Sequence, residues 1–339
     1  QSFLDTNQKS ITYEDFVNKE FIHFSKYDCE RSIPNMMDGL KISLRKILFA
    51  AFKKKLTKEI KVAQFSGYVS EHSGYHHGEA SLNGAIVGMA QNFVGSNNIN
   101  LLLPNGQFGT RLNGGKDSAS ERYIFTELNP LTRYIYPEGD DNILNYLHDD
   151  GFPVEPIYYV PIIPMILVNG SKGIGTGFST DIMCYNPLEI ITVLKNKLKK
   201  DDENCKDLLP YYKGFKGIIS KLEKGKFLIK GCYNRLEKDK VRVTELPIGS
   251  WTDDYKKYLE DLLENKKAVI KDYNDLSTDK TVDISIQFQK GVLDQLEKTI
   301  HDNGINGIEK LLKLTTTNSS NNMHMFDANE KLKLYKNAK

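Results

Sequence analysis

Arg122 and Tyr123 are neighbours, and their side chains could share one reaction. A phenol has an ordinary pKa of about 10, so at neutral pH it is a poor nucleophile unless its anion is stabilised. An adjacent guanidinium can do that and can also meet charge building on a phosphate. With 18 tyrosines in the chain, the competing reading of Tyr123 is ordinary packing. His72, His76 and His77, followed by Glu79, form a second cluster. Metal ligation would suit these residue types, but the H-E-x-x-H pattern is absent, which leaves phosphate contact or a plain polar turn. Gly173, Gly175 and Gly177 follow an apolar run but miss the G-x-G-x-x-G spacing. Gly115-Lys116-Asp117 has Asp where a Walker loop needs Ser or Thr. Both glycine runs read as turns that let backbone approach something closely.

The elements around these residues follow from pattern. Thr12 and Asp15 have the spacing of a helix start, and a helix is expected over 12–24. Asp38 is expected to cap a helix reaching Lys55, with Leu40, Leu44, Ile47, Leu48 and Ala51 on its inner face and Lys41, Arg45 and Lys46 outside. Helices are expected over 62–73 and 78–93, a strand at 101–103, and a helical return over 117–128. Beyond Pro187 the pattern predicts helices over 188–198, 255–263 and 292–300, and strands through 215–243 and 282–288. From Arg31 to Lys61 nine Lys/Arg face two acids, while the whole chain carries only +2, so the basic face is local and suits a polyanion. With 40% hydrophobic residues over 339 positions, the composition is globular and sufficient for more than one domain. The four cysteines are scattered, without a C-x-x-C pair, which argues against a zinc ribbon. The apolar run 162–168 is interrupted by Pro164 and is too short to cross a bilayer, and the polar start shows no signal peptide.

Read together, the segments resemble the breakage-reunion region of type IIA DNA topoisomerases of the eukaryotic and large-DNA-virus kind. The residues that carry the resemblance are Arg31-Ser32-Ile33-Pro34, Asp38-Gly39-Leu40-Lys41, Arg45-Lys46, YHHGE at Tyr75–Glu79, AQNFVGSNN at Ala90–Asn98, GQFGTRLNGGKDSASERYIFTEL at Gly106–Leu128, and VEPIYYVPIIPMILVNGSKGIGTG at Val154–Gly177. The bacterial gyrase pattern has the same layout but differs around the histidine pair and the nucleophile.

The resemblance implies an α+β chain: a connecting segment at 1–27, a helical winged-helix (helix-turn-helix) DNA-binding domain at 28–160, and an α/β tower domain at 161–339 that ends before coiled-coil arms. It implies that Tyr123 is the catalytic nucleophile, giving a reversible 5′-phosphotyrosyl link, with Arg122 assisting at the phosphate. It further implies that Arg31, Lys41, Arg45, His76 and His77 line the DNA backbone and that Ile174 is a wedge between base pairs. The partners implied are double-stranded DNA and a second protomer in a homodimer, and the location is nuclear, or a cytoplasmic viral factory. Mg2+ and ATP would serve the full-length enzyme, and this piece would bind neither. No D-x-D occurs, and the paired acids Asp140-Asp141, Asp149-Asp150, Asp201-Asp202 and Asp253-Asp254 read as surface turns. The chain is therefore expected to be a fragment, inactive alone. Ile42-Ser43 replaces Pro-Gly of many relatives, and Glu121 replaces a Pro before the Arg-Tyr pair. The alternative is a non-catalytic DNA-binding or scaffold module of the same fold.

Overall fold

The computed structural model describes residues 3–201, 203, 205–265 and 269–338; Asp202 of the acid pairs lies outside them. The chain opens with a helix begun by Thr12, whose hydroxyl accepts from the Asp15 amide at 3.1 Å. This helix runs as α1 (Tyr13–Phe16), a π-helical turn (Val17–Phe21) and α2 (Ile22–Ser32). The expected boundary after residue 27 thus falls inside α2.

Three helices follow: α3 (Ile42–Lys54), α4 (Val62–Ser73) and α5 (Glu79–Ala90). Ile47, Leu48, Ala51, Val62, Phe65, Val69, Leu82 and Ile86 bury their side chains completely or nearly so in one core. Burying the larger of these side chains contributes about 1.5–3 kcal/mol each. α4 ends at Gly74 in a left-handed conformation, where any Cβ would collide with the Asp149 carboxylate. Between α3 and α4, the two-residue strand β1 (Ile60–Lys61) pairs antiparallel with β2 (Phe125–Thr126).

The sequence 117–128 is not helical. Asp117 accepts from the Thr110 amide and hydroxyl, residues 121–123 form a turn, and the buried Ile124 leads from it into β2. Local side-chain bonds and a buried isoleucine override helical composition there. The short strand expected at 101–103 is a single bridge, Leu102 to Leu128.

The hairpin of β3 (Tyr146–Asp149) and β4 (Phe152–Pro156) packs on α3. After α6 (Thr132–Ile135, preceding that hairpin) and α7 (Met165–Asn169), a second hairpin pairs β5 (Ser171–Ile174) with β6 (Ser179–Ile182). α8 (Pro187–Leu198) begins with an Asn186 cap and proline in its first turn. Met165, Val168, Tyr185, Ile190 and Phe227 join the first core, so the apolar interior does not divide at residue 160.

The rest is largely antiparallel sheet: β7 (Ile218–Lys221), β8 (Lys226–Lys230), β9 (Cys232–Glu237) and β10 (Lys240–Glu245). α9 (Thr252–Glu264), β11 (Ile270–Asp275), β12 (Ile284–Phe288), α10 (Val292–Lys298) and α11 (Gly307–Leu311) follow. β13 (Thr315–Ser319), β14 (Met323–Phe326) and β15 (Leu332–Tyr335) complete the order. A four-stranded sheet runs β11-β12-β10-β9, with Val241 opposite Ile286 and Val243 opposite Ile284. These residues form a second core with Leu259, Leu293, Ile308 and Leu312. The chain is α+β, as the resemblance implies.

Two buried polar devices tie together segments distant in sequence. Asn98 is buried, and its amide donates to the carbonyls of Val168, Tyr185 and Tyr211. Arg111, from the glycine-rich loop, forms a buried ion pair with Glu245 at the end of β10. No helix among the described residues is long and apolar enough to cross a membrane, and all four cysteines are free thiols.

Candidate nucleic-acid interface

Tyr123 stands on a turn braced by backbone. Its amide donates to Ser120 O at 2.9 Å, and the flanking carbonyls of Glu121 and Ile124 accept from Ala63 N and Val62 N at 3.1 and 3.0 Å. These are the first amides of α4, so the turn caps that helix and sits at the positive end of its dipole. Tyr123 is 71% exposed, which removes the packing reading. The Arg122 guanidinium carbon lies 5.7 Å from the Tyr123 ring centroid. Glu121 accepts from the Ser120 hydroxyl at a loose 3.5 Å and adds a negative charge beside the pair.

The histidines lie beyond the opposite end of α4. A helix of these twelve residues is about 18 Å long. They line a cleft of about 430 Å³ with Tyr27, Arg31, Lys46 and Ser81. Neither Arg122 nor Tyr123 lines it. His76 Nε2 is 3.1 Å from Asp149 Oδ2. His77 Nε2 is 2.5 Å from the Tyr27 hydroxyl. Partial burial, helped by the charges of Arg31, His76 and Lys46, pushes the His77 pKa below its ordinary 6.5. Lys46 donates to Ser73 O and pairs with Glu155 at 2.8 Å, which fixes α3 to the end of α4 and to β4. Arg31 is exposed, its guanidinium 5.8 Å from the Tyr27 ring.

Arg45 does not lie on the cationic face expected for it. It is 5% exposed and forks onto Asp38, with Nε–Oδ2 at 2.7 Å and Nη2–Oδ1 at 3.0 Å, and it also donates to Leu40 O. Asp38 in turn accepts from the amides of Leu40 and Tyr159 and caps no helix. A carboxylate this well provided with donors holds the guanidinium inside, where no phosphate reaches it. Lys41 is half-turned inward: its ammonium donates to Lys172 O at 2.5 Å, and burial pushes its pKa down. It thereby ties the start of α3 to β5.

Ile174 sits at the end of β5 and is 85% exposed, so it is not a core residue. The glycines beside it act differently from expectation. A Cβ on Gly173 would collide with the Ser32 carbonyl, and one on Gly175 would lie 3.0 Å from Cys29 Sγ. They permit close packing of the hairpin on α2 rather than approach to an external groove. Thr176 completes the attachment by donating from its hydroxyl to Asp28 at 2.8 Å. Tyr27, Asp149 and the buried role of Asp38 were not singled out by sequence. Only Tyr27 carried a signal, being one helical turn from Arg31.

Among the described residues no three His, Cys, Asp or Glu side chains converge to hold a metal ion, and His72 stands apart, its ring tilted 38° against that of Tyr68 with centroids 4.0 Å apart. The glycine run at 173–177 is a hairpin end, not the start of a helix that could take a nucleotide phosphate.

Residues 31–338 match the family model for the A-type subunit of DNA gyrase/topoisomerase IV. DNA topoisomerase 2 of Arabidopsis thaliana is 51% identical over 341 residues, which cover 98% of this chain and 22% of the relative. The Drosophila melanogaster DNA topoisomerase 2 is 48% identical, covering 97% and 23%. The crystal structure of the Plasmodium falciparum topoisomerase II DNA-binding, cleavage and re-ligation domain superposes with a TM-score of 0.91 at 47% identity, covering 99% of this chain and 45% of that one. The chain thus spans less than a quarter of the length of these curated relatives. One family model accounts for nearly all of it, and plant and insect relatives share about half its residues, so the chain belongs to the DNA gyrase/topoisomerase IV family, in its eukaryotic DNA topoisomerase 2 branch.

Proposed function

We propose that this chain is the DNA-gate segment of a type II DNA topoisomerase, with Tyr123 as its nucleophile. The observation that carries the reading is the Tyr123 phenol, exposed on a turn whose backbone is fixed to the start of α4, beside Arg122. The phenol oxygen attacks a phosphodiester phosphorus. The phosphorus–O3′ bond breaks, the phenol proton leaves, and the 3′ oxygen gains one. The products are a 5′-phosphotyrosyl link and a 3′-hydroxyl, and the reverse attack reseals the strand. One phosphoester replaces another, so resealing itself needs no outside energy source. Arg122 and the positive end of α4 stabilise the charge on the phosphate.

Arg31, His76 and His77 hold a stretch of backbone in the cleft, and Ile174 enters a base step and bends the duplex at a cost of a few kcal/mol. Double-strand passage in a homodimer, ATP hydrolysis and Mg2+ belong to the whole enzyme. The described residues offer no site that fits the metal, so no step here is routed through it. The 1–27, 28–160 and 161–339 divisions would correspond to the connecting, winged-helix and tower parts of that enzyme, with α2 running across the first boundary and the first core across the second. Its place is with nuclear DNA, although a Dictyostelium discoideum relative is named mitochondrial.

The test is covalent trapping with the full-length enzyme and a labelled duplex, followed by mapping of the adduct. An adduct on Tyr123 that is lost in Tyr123→Phe is the expected result. Trapping that survives this change would move the nucleophile elsewhere, and no trapping by any form would favour a scaffold module.

A further inference from the structure

The histidine cleft contains a residue that the DNA-gate reading does not assign. Tyr27 reaches into it from α2, one helical turn before Arg31, and its hydroxyl lies 2.5 Å from His77 Nε2. The two rings are tilted by 40°, with centroids 5.9 Å apart, so the contact runs along the hydroxyl rather than through stacking. On its other side the His77 ring meets the edge of Tyr75, with centroids 5.3 Å apart. The imidazole is exposed, flanked by the two tyrosine rings, and its hydrogen-bond partner in the cleft is the Tyr27 hydroxyl.

We infer that Tyr27 is a positioning residue for DNA binding: its hydroxyl donates to His77 Nε2, fixing the Nδ1–H tautomer and presenting that N–H to a backbone phosphate. The inference rests on the reading of the cleft as a DNA site.

A neutral imidazole carries one donor and one acceptor nitrogen, and the hydrogen bond made by one nitrogen decides which is which. The groups facing His77 favour the neutral ring: Arg31 from α2, Lys46 from α3 and His76 beside it in the chain, with Asp28 also lining the cleft. The neutral ring leaves Nε2 free to accept from the phenol. A phosphate entering the cleft offsets those cations, so the ring then holds a proton more readily. Once the ring is protonated, Nε2–H donates to the Tyr27 oxygen and Nδ1–H still faces the ligand. Tyr27 can thus keep the ring oriented in both protonation states, which an obligate acceptor such as a carboxylate would not do for the neutral form with Nε2 unprotonated. Arg31, held near the Tyr27 ring, supplies the charge that His77 lacks when neutral.

The experiment combines histidine-selective nitrogen NMR of this chain with duplex binding measured from mildly acidic to neutral pH, for wild type, Tyr27→Phe and His77→Ala. Wild type is expected to show His77 as the Nδ1–H tautomer, with binding that strengthens as pH falls. Tyr27→Phe is expected to mix the tautomers and weaken neutral-pH binding by roughly two- to tenfold, the range of one hydrogen bond, without lowering the melting temperature. An unchanged tautomer would overturn the assignment even if binding weakened, because Tyr27 would then touch DNA directly. Normal binding by Tyr27→Phe beside weak binding by His77→Ala would overturn it while sparing the DNA cleft. Normal binding by His77→Ala would remove the cleft reading itself, and the proposal with it.

Discussion

At the residue scale, charge on the sequence and charge available to a ligand are different things. Arg31 and Arg45 both fall in the basic stretch, yet one is exposed and the other is buried against Asp38. Removing one partner of a buried pair costs about 3–5 kcal/mol, because the other charge is left unpaired. Arg45→Ala is therefore expected to lower the melting temperature strongly, and Arg31→Ala to leave it nearly unchanged. In duplex binding, Arg31→Ala should reduce the slope of log affinity against log salt by about one, the share of one phosphate contact. Equilibrium melting and a salt titration of both variants check the pair.

His77 adds a pH signature at the same scale. Its folded pKa is below the ordinary 6.5, so the unfolded chain takes up the proton first as pH falls. Stability from this group is complete above about 6.5 and declines as pH drops through the folded value. His77→Asn should flatten that part of the stability profile, measured by denaturant unfolding across mildly acidic pH. Sequence made the histidine pair visible but not Asp149 or Asp38 as partners. Those contacts join residues 73 and 7 positions apart through tertiary packing, and neither has a local spacing signal.

At the element scale, helices with a clean apolar stripe were legible: 62–73 is the observed extent of α4, and α5, α8, α9 and α10 fall within a few residues of expectation. The miss was 117–128, where helical composition gave way to a turn spliced onto the end of another helix. No window of sequence contains both halves of that arrangement, because its partners are Val62 and Ala63. The β5–β6 hairpin separates two substitutions that look alike in sequence. Ile174→Ala should change stability by no more than about 0.5 kcal/mol, as for an exposed site, while reducing DNA bending. Gly173→Ala should cost roughly 1–3 kcal/mol or more, because the new methyl group meets the backbone of α2 and not a movable side chain. Thermal unfolding with a fluorescence-based bending assay distinguishes them. A large stability loss in Ile174→Ala would contradict its exposed placement.

At the scale of the molecule, the described residues form two apolar cores, and the buried Arg111–Glu245 pair ties the glycine-rich loop to the end of β10, whose Val241 and Val243 lie in the second. Glu245 also accepts from the amides of Lys216 and Leu246, so the pair anchors backbone on the second-core side. Arg111→Ala is expected to cost about 3–5 kcal/mol and to broaden or split the calorimetric transition, as the cores lose a shared fastening. A single sharp transition at the wild-type temperature would show that the remaining contacts between the cores suffice. The resemblance places a domain division at 160. The interior ignores it, since Met165, Val168 and Tyr185 are apolar residues facing the same core as α3.

The seating of the glycine-flanked hairpin on α2 has a mechanical consequence. In the proposed DNA gate, a duplex that resists bending would push back on Ile174, and the hairpin has little slack with which to yield, because its backbone already rests against Cys29 and Ser32. The load passes into α2, the rod that also carries Tyr27 and Arg31. The compliant section in line with that rod is the π-helical turn at Val17–Phe21, whose hydrogen-bond ladder is out of step with the α-helix on either side. Stiff and pliant DNA sequences would then load the same rod differently, and the grip on the phosphates would register how readily the duplex bends.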